Sequence, residues 1–553
     1  MSMSKNIARL AVTAGLTAAL SFGGVMAPVT MAFAAEANGS VTIENVNGNT
    51  TEFQGYQIFK ADVDNGKVAN ITWANDRVEK AVKDVIEKED TSYAGKTAQD
   101  AADWITNKVT GTNETTRVAP DNIAYKIANA VDGLSPSATT TSKTASGLAH
   151  GYWLFVTKTD TIGVGEAGTS PIFTVVGNTP VKITEKTGIP TVEKKIVSDA
   201  DSKEHDAADS QIGQDVTYNL YGTVAENFDK YDTYFYQFSD KISKGLTLQK
   251  GAKVYLYKNR TDATGTDITM YFKEETPAKA AEDGSKTTTW TCDNLKDVSG
   301  VTKDSYIVVS YKAQINKYAV VAGTEGNENT VTLNYSNNPM TSDRGETQSD
   351  TVKDYTYGLK INKVDLGTEA ALDGAEFTIQ ATGADDGASK NLYVQKDGSL
   401  GSDPWNFVTA NGGVIKVTGL DAGTYTVTEV SAPSGYAKVD PFTFEIEPNM
   451  NADDPGAGLT ALKGVLTTDQ GGKVIAGITD ENAGDNNLTA KPGSEKDEDG
   501  IFNITVGDTK QVGLPLTGLN GVTFTWIAGG AVLCIGVAHL IRSRKQAEES
   551  EQE

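Results

Sequence analysis

Three stretches of this 553-residue chain put an ionisable side chain where strand alternation calls for an apolar one. In Leu359-Lys360-Ile361-Asn362-Lys363-Val364-Asp365, the alternate positions Leu359, Ile361 and Lys363 share a face, because side chains two apart on a strand point the same way. Tyr425, Val427 and Glu429 share a face in the same manner, and so do Phe502, Ile504, Val506 and Asp508. An unpaired ion on an inward face costs several kcal/mol or shifts its pKa by up to about 3 to 5 units. Burial drives lysine towards the neutral amine and a carboxyl towards the protonated acid. The neutral amine is a nucleophile, and the acid can polarise a neighbouring carbonyl and shuttle a proton. Held in contact, Lys363 and Asp508 would condense to an amide in an intramolecular step that removes both charges.

An earlier part of the chain repeats the pattern. Val192, Lys194 and Ile196 share a face, as do Tyr236, Phe238 and Asp240, and likewise Asn329, Val331, Leu333 and Tyr335.

The later runs resemble the collagen-adhesin B-type repeat over about 357–510. Further carriers of the likeness are Leu372-Asp373-Gly374-Ala375-Glu376-Phe377 and the stretch from Gly423-Thr424-Tyr425 to Ala432-Pro433-Ser434-Gly435-Tyr436. The resemblance implies a spontaneous isopeptide bond with Lys363 as amine, Glu429 as catalytic acid and Asp508 as acceptor. Relatives more often carry Asn where Asp508 stands, so the leaving group here is water rather than ammonia. The segments Pro190–Lys194, Phe238-Ser239-Asp240 through Gly245-Leu246, and Asn329 through Pro339 resemble the middle domain of Gram-positive backbone pilins. By that resemblance Lys194 joins Asn329, with Asp240 as proton shuttle, and Lys195 and Asn334 are the competing choices. Each bond is expected to clamp the first strand of its domain to the last.

The chain ends carry a second kind of chemistry. Leu514-Pro515-Leu516-Thr517-Gly518 precedes an apolar run from Gly521 to Ile541, long enough for one bilayer crossing, and Arg542, Arg544 and Lys545 follow. This order resembles the cell-wall sorting signal read by sortases. It implies cleavage between Thr517 and Gly518 and transfer of the Thr517 carbonyl to an amine. Backbone pilins supply that amine near the end of the first domain, in a pattern ending Val-Tyr-Pro-Lys. Here Val181-Lys182-Ile183-Thr184-Glu185-Lys186 occupies the matching place, which points to Lys186, with Lys182 as the alternative. At the other end, Lys5 and Arg9 precede an apolar stretch from Leu10 to Met31 that closes at Ala32-Phe33-Ala34, the order of a secretory signal peptide.

The elements that must position these groups are legible in outline. From about residue 187 onward, short alternating runs rich in Val, Ile, Thr, Tyr and Phe are separated by Gly, Asn, Asp and Pro clusters. That pattern predicts an all-β fold of tandem immunoglobulin-like antiparallel sandwiches. The first domain is expected to be a sandwich with helical insertions, because Val78, Val82, Val85 and Ile86 recur at helical spacing and a second such stretch covers 101–109. The expected division is a signal peptide over 1–35, an N-terminal domain over 36–186, a middle isopeptide domain over 187–355, a B-type domain over 356–512, and sorting motif, membrane helix and basic tail over 513–553. Boundaries at Thr187-Gly188-Ile189-Pro190 and near Tyr355 to Gly358 are short joints rather than flexible linkers.

Composition narrows the function. A net charge of −24 argues against nucleic acid as a partner. The only cysteines are Cys292 and Cys534, the latter in the expected membrane segment, so no disulfide can brace the exported part. Three histidines and the absence of HExxH, phosphate-binding glycine and G-x-S-x-G patterns argue against a conventional enzyme, and no cofactor or metal is called for. The resemblances imply the shaft subunit of a surface pilus. Expected partners are a pilus-specific sortase, identical subunits, peptidoglycan, minor pilins and host surface ligands. The rival reading is a monomeric wall-anchored adhesin, which needs no acceptor lysine.

Overall fold

The computed structural model describes residues 38–511 apart from 45–49, 65–66, 110–119, 185–186, 322–325, 385–388, 454–457, 467–473, 477–486 and 491–500. The expected leader (1–35), Lys186, the Leu514, Pro515, Leu516, Thr517 and Gly518 motif and the apolar segment with its tail lie outside the described residues. Among the described residues, no helix is long and apolar enough to cross a membrane.

The chain is predominantly β, in successive pairs of sheets. The first pair joins Gly39–Glu44, Thr144–Leu148 and Val181–Thr184 in one sheet, and Phe53–Asp64, Lys67–Trp73, Gly151–Thr157 and Ile172–Val176 with Ala138–Thr139 in the other. Helices Asp76–Glu89, Ala98–Val109 and Ile123–Asp132 are inserted between these strands. Asn75 caps the first helix by accepting from the backbone of Arg77 and Val78, and Asp76 and Glu79 sit in its positive first turn. Its Val78, Val82, Val85 and Ile86 are buried as their spacing predicts. The third helix is an addition to the sequence reading. It starts at the cap Asn122 and buries Ile123, Ile127, Ala128 and Val131.

The middle region is a sandwich of two seven-stranded sheets. One contains Val192–Val197, Asp215–Thr223 and Tyr306–Ile315. The other contains Asp350–Tyr355, Asn327–Ser336 and Tyr236–Ile242. Their inner faces close over a core that includes Ile196, Tyr218, Phe238, Trp290 and Leu333. The last region packs a five-stranded sheet, centred on Tyr357–Asp365 and Ile501–Lys510, against an eight-stranded sheet containing Glu376–Ala384, Gly423–Ser431 and Phe442–Asn451. Leu359, Ile361, Val427, Phe444 and Ile504 fill the space between.

The sheets are not purely antiparallel, as alternation alone suggested. Gly39–Glu44 runs parallel to Val181–Thr184, Ala207–Asp209 to Asp350–Tyr355, and Tyr357–Asp365 to Ile501–Lys510. The physical reason is the long crossover: a strand that returns after the chain has passed through the opposite sheet can re-enter in the same direction.

Candidate functional sites

Each of the last two sandwiches buries one cluster of amine and carbonyl groups. In the middle one, Lys194, Asp240 and Asn329 are at most 1 % exposed. They come from three strands on two sheets. Antiparallel register sets Ile242 opposite Asn329 and Asp240 opposite Val331, so Asp240 and Asn329 approach along neighbouring strands, and Lys194 reaches them from the facing sheet. The Lys194 Nζ donates to Asp240 Oδ1 and, at 2.5 Å, to Asn329 Oδ1. Burial lowers the Lys194 pKa to about 8 against the opposing pull of the Asp240 charge. The amine is therefore readily neutral while its nitrogen lies beside the carbonyl it would attack. The rings of Tyr218 and Tyr311 flank it, with centroids 5.6 and 5.5 Å from Nζ.

Tyr311 belongs to this cluster although sequence reasoning passed it over. Its hydroxyl donates to Asp240 Oδ2 at 2.5 Å, accepts from Asn329 Nδ2 at 2.7 Å and lies 3.1 Å from Lys194 Nζ. Alternation from Val309 to Ala313 would have turned it inward, but nothing in the sequence distinguishes it from a core tyrosine. The competing residues point elsewhere. Lys195 pairs with Asp206 at 2.6 Å and Glu193 at 3.2 Å, and Asn334 donates to Gln237 at 3.3 Å.

The C-terminal cluster holds Lys363, Glu429 and Asp508, also at most 1 % exposed. Parallel pairing sets Lys363 opposite Val506, which places Asp508 two residues further along the adjacent strand on the same face. Glu429 comes from the opposing sheet. Lys363 Nζ contacts Asp508 Oδ1 and lies 3.0 Å from Glu429 Oε1. Glu429 Oε2 accepts the backbone N–H of Val439 at 2.8 Å. Burial, which outweighs that hydrogen bond and the neighbouring amine, holds the Glu429 pKa above the usual carboxylate value. Asp508 Oδ2 has no hydrogen-bond partner among the described residues. The ring of Phe377 lies 5.5 Å from Nζ. One amine and two carboxyls in a dry core are neutral overall when one carboxyl keeps its proton, and the shifted Glu429 is suited to keep it.

Residues 357–454 match the SpaA prealbumin-like fold domain. The SpaA-type segment contains Lys363 and Glu429, whereas Asp508 lies beyond the matched range on the strand that returns beside it. Among solved structures, the T6 backbone pilin of serotype M6 Streptococcus pyogenes is 16 % identical, with 87 % of this chain and 100 % of that one covered at a TM-score of 0.49. The full-length major pilin SpaD from Corynebacterium diphtheriae is 18 % identical, with coverage of 86 % and 98 % and a TM-score of 0.45. No curated protein matches the chain by sequence.

In the middle sandwich the expected clamp of first strand to last is not what the topology offers. Asn329 lies on Asn327–Ser336, and Asp350–Tyr355 follows it as the final strand. A Lys194–Asn329 bond would instead pin one sheet to the other, while the final strand holds the first through Asp350, which accepts the Lys194 backbone N–H at 2.6 Å. In the last sandwich Lys363 and Asp508 do lie on the first and last strands. Lys182, on Val181–Thr184, has a largely exposed side chain and reaches Glu44 at 3.3 Å.

Proposed function

We propose that this chain is a secreted structural subunit of a Gram-positive cell surface, the shaft-forming backbone of a covalently polymerised pilus, locked internally by two isopeptide bonds. The observation that carries the reading is that each of two sandwiches holds an unexposed lysine nitrogen against a side-chain carbonyl, with a carboxyl group of another residue beside it. A buried ion pair of this kind is an expensive way to stabilise a core, because desolvation offsets most of the attraction. The arrangement makes chemical sense as a reactant state. Neutral Lys363 attacks Asp508 Cγ, the Nζ–Cγ bond forms, Glu429 passes protons between nitrogen and departing oxygen, and water leaves. Lys194 and Asn329 form the corresponding bond with loss of ammonia.

The match to the SpaA prealbumin-like domain supports this reading, as does the sorting motif. Between subunits, a sortase would carry the Thr517 acyl group to Lys186 of the next copy, and the last subunit would be attached to peptidoglycan. With Cys292 free and buried, cross-links of this type take the bracing role that disulfides have in other exported proteins.

Surface material from cells expressing the chain should run in SDS as a ladder of regularly spaced bands. Lys186→Ala should collapse the ladder to a single species, and a ladder unchanged by that substitution would move the linkage to another lysine. A single species already in the unmodified protein would favour the anchored monomer. The mass of the purified ectodomain should fall short of its sequence mass by one ammonia and one water, and a full mass would remove the internal bonds.

A further inference from the structure

Amide nitrogen is a poor leaving group until it is protonated, so the middle cluster needs a proton delivered to Asn329 Nδ2 as the new bond forms. Asp240 touches the attacking nitrogen, but the hydrogen bond from Nδ2 goes to Tyr311. We propose that Tyr311 is a catalytic residue of the Lys194–Asn329 condensation, relaying a proton from Asp240 to the departing nitrogen. The inference rests on the reading that this bond forms.

The hydroxyl touches all three of the other groups. It lies 3.1 Å from Lys194 Nζ, receives the Nδ2 hydrogen at 2.7 Å and gives its own hydrogen to Asp240 Oδ2 at 2.5 Å. In the planar amide the nitrogen lone pair is delocalised, so Nδ2 can only donate. Attack by neutral Lys194 on Cγ makes the carbon tetrahedral and localises that lone pair, which reverses the direction of the hydrogen bond. Tyr311 then gives its proton to Nδ2 and takes one from Asp240, and Asp240 takes one from the new Nζ–Cγ nitrogen. The Cγ–Nδ2 bond breaks and ammonia leaves. One proton has moved from Nζ to Nδ2, and both Asp240 and Tyr311 end as they began.

Two features suit the phenol to this role. It is held rigidly, stacked between Tyr218 at 5.5 Å and Trp290 at 5.2 Å. Its environment keeps it protonated, since burial and the Asp240 charge push its pKa well above the ordinary tyrosine value. The C-terminal cluster supplies the contrast. There a ring again lies 5.5 Å from the lysine nitrogen, but it is Phe377, and the acceptor is a carboxyl that can leave as water. The ring recurs in both clusters; the hydroxyl is present where the leaving group is nitrogen.

The test uses the whole ectodomain, recovered unfolded, refolded by dilution and sampled over time for the two cross-linked peptides by mass spectrometry. In Tyr311→Phe, which keeps the ring, the Lys194–Asn329 peptide should appear about 100-fold more slowly, the usual worth of one positioned acid–base group. The Lys363–Asp508 peptide in the same chains should form at the unmodified rate, which reports that folding is intact. Adding Asn329→Asp to Tyr311→Phe gives the middle cluster the same chemical types as the C-terminal one, and it should restore a bond formed with loss of water. The relay is overturned if Tyr311→Phe forms the middle bond at the original rate, or if it slows both bonds alike. It is equally overturned if the double variant stays slow, since the tyrosine would then serve geometry rather than proton delivery. No middle bond in the unmodified protein would remove the condensation itself, a result distinct from each of these.

Discussion

Lys194 exchanges its hydration shell for a carboxylate, an amide oxygen and two aromatic rings. That exchange lowers its pKa from 10.5 to about 8, with burial as the main cause. The consequence for reactivity has a definite sign. Below about pH 8 the neutral fraction rises roughly tenfold per pH unit, so the rate at which the Lys194–Asn329 peptide appears on refolding should climb with pH and flatten above about 8. A lysine reacting with an ordinary pKa would keep accelerating towards pH 10, and that outcome would separate the rate from the buried site. Linkage runs the same way. In an Asn329→Ala chain, which cannot form the bond, the unfolded state holds the Lys194 proton up to about 10.5 while the folded state releases it near 8. The unfolded state therefore binds more protons in that window, and this group's contribution to stability grows as pH rises through it.

At the scale of strands, the value of the clusters lies in the length of chain that each bond would close. Lys363 and Asp508 are 145 residues apart in sequence and adjacent in space. Closing a loop of that length is worth about 5 kcal/mol in the chain-entropy account of cross-links. Glu429→Gln removes the titratable acid while leaving Lys363 and Asp508 in place. The C-terminal peptide should then stay unlinked, and the domain should lose about that much stability in denaturant titration. An unlinked chain of unchanged stability would mean that the bond does not brace the sandwich. Much of this cluster was legible beforehand, because alternation with Leu359, Ile361, Val427 and Val506 dictates which face Lys363, Glu429 and Asp508 occupy. The choice of Lys194 over Lys195 follows equally from its phase with Ile196. Tyr311 was not legible, since an inward tyrosine on a strand looks like Tyr218 or Tyr236, and its role appears only when Asp240 and Asn329 arrive from another sheet. The parallel pairing of distant strands was hidden for a similar reason: register between strands far apart leaves no local mark. The Ile123–Asp132 helix had its cap and spacing in view, but its three turns are short enough to be lost between loop residues.

Over the length of the chain, hydrogen bonds join each region to the next, as the proposed shaft subunit would require. Between the first two regions, Gly168 donates to Asn337 O at 2.6 Å and Gly165 to Glu346 O at 3.0 Å. At the second joint the buried side chain of Gln211 acts as a peg. Its Nε2 donates to Gly398 O and, at 2.7 Å, to Gly419 O, while its Oε1 accepts from Asp421 N at 3.2 Å. The neighbouring Ile212 N–H donates to Gly419 O at 3.0 Å. Gly419 must be glycine for this approach: its φ is +91°, and a Cβ there would sit 2.2 Å from the Ile212 side chain. Asp354 and Asp421 are buried beside the peg, and burial raises the pKa of both well above the usual carboxylate value. Their stabilising contribution is full in acid and is lost as pH rises past the ordinary carboxylate range, so the joint is expected to be tightest at low pH. Gln211→Ala takes from the Gly398 carbonyl its Nε2 donor, at a cost of about 1–3 kcal/mol if water cannot reach it, and removes one of two partners from the Gly419 carbonyl, which keeps the Ile212 N–H, and from the Asp421 N–H, which keeps the Tyr425 hydroxyl at 3.1 Å. Hydrogen exchange of the Ile212 and Asp421 amides should accelerate by about tenfold or more. Amides within the middle core, such as those of the Tyr306–Ile315 strand, should be unaffected, because the peg touches only the joint. Unchanged exchange at Ile212 and Asp421 would show that the joint is held by its strands alone. Acceleration throughout the middle sandwich would instead make Gln211 part of that domain's own fold.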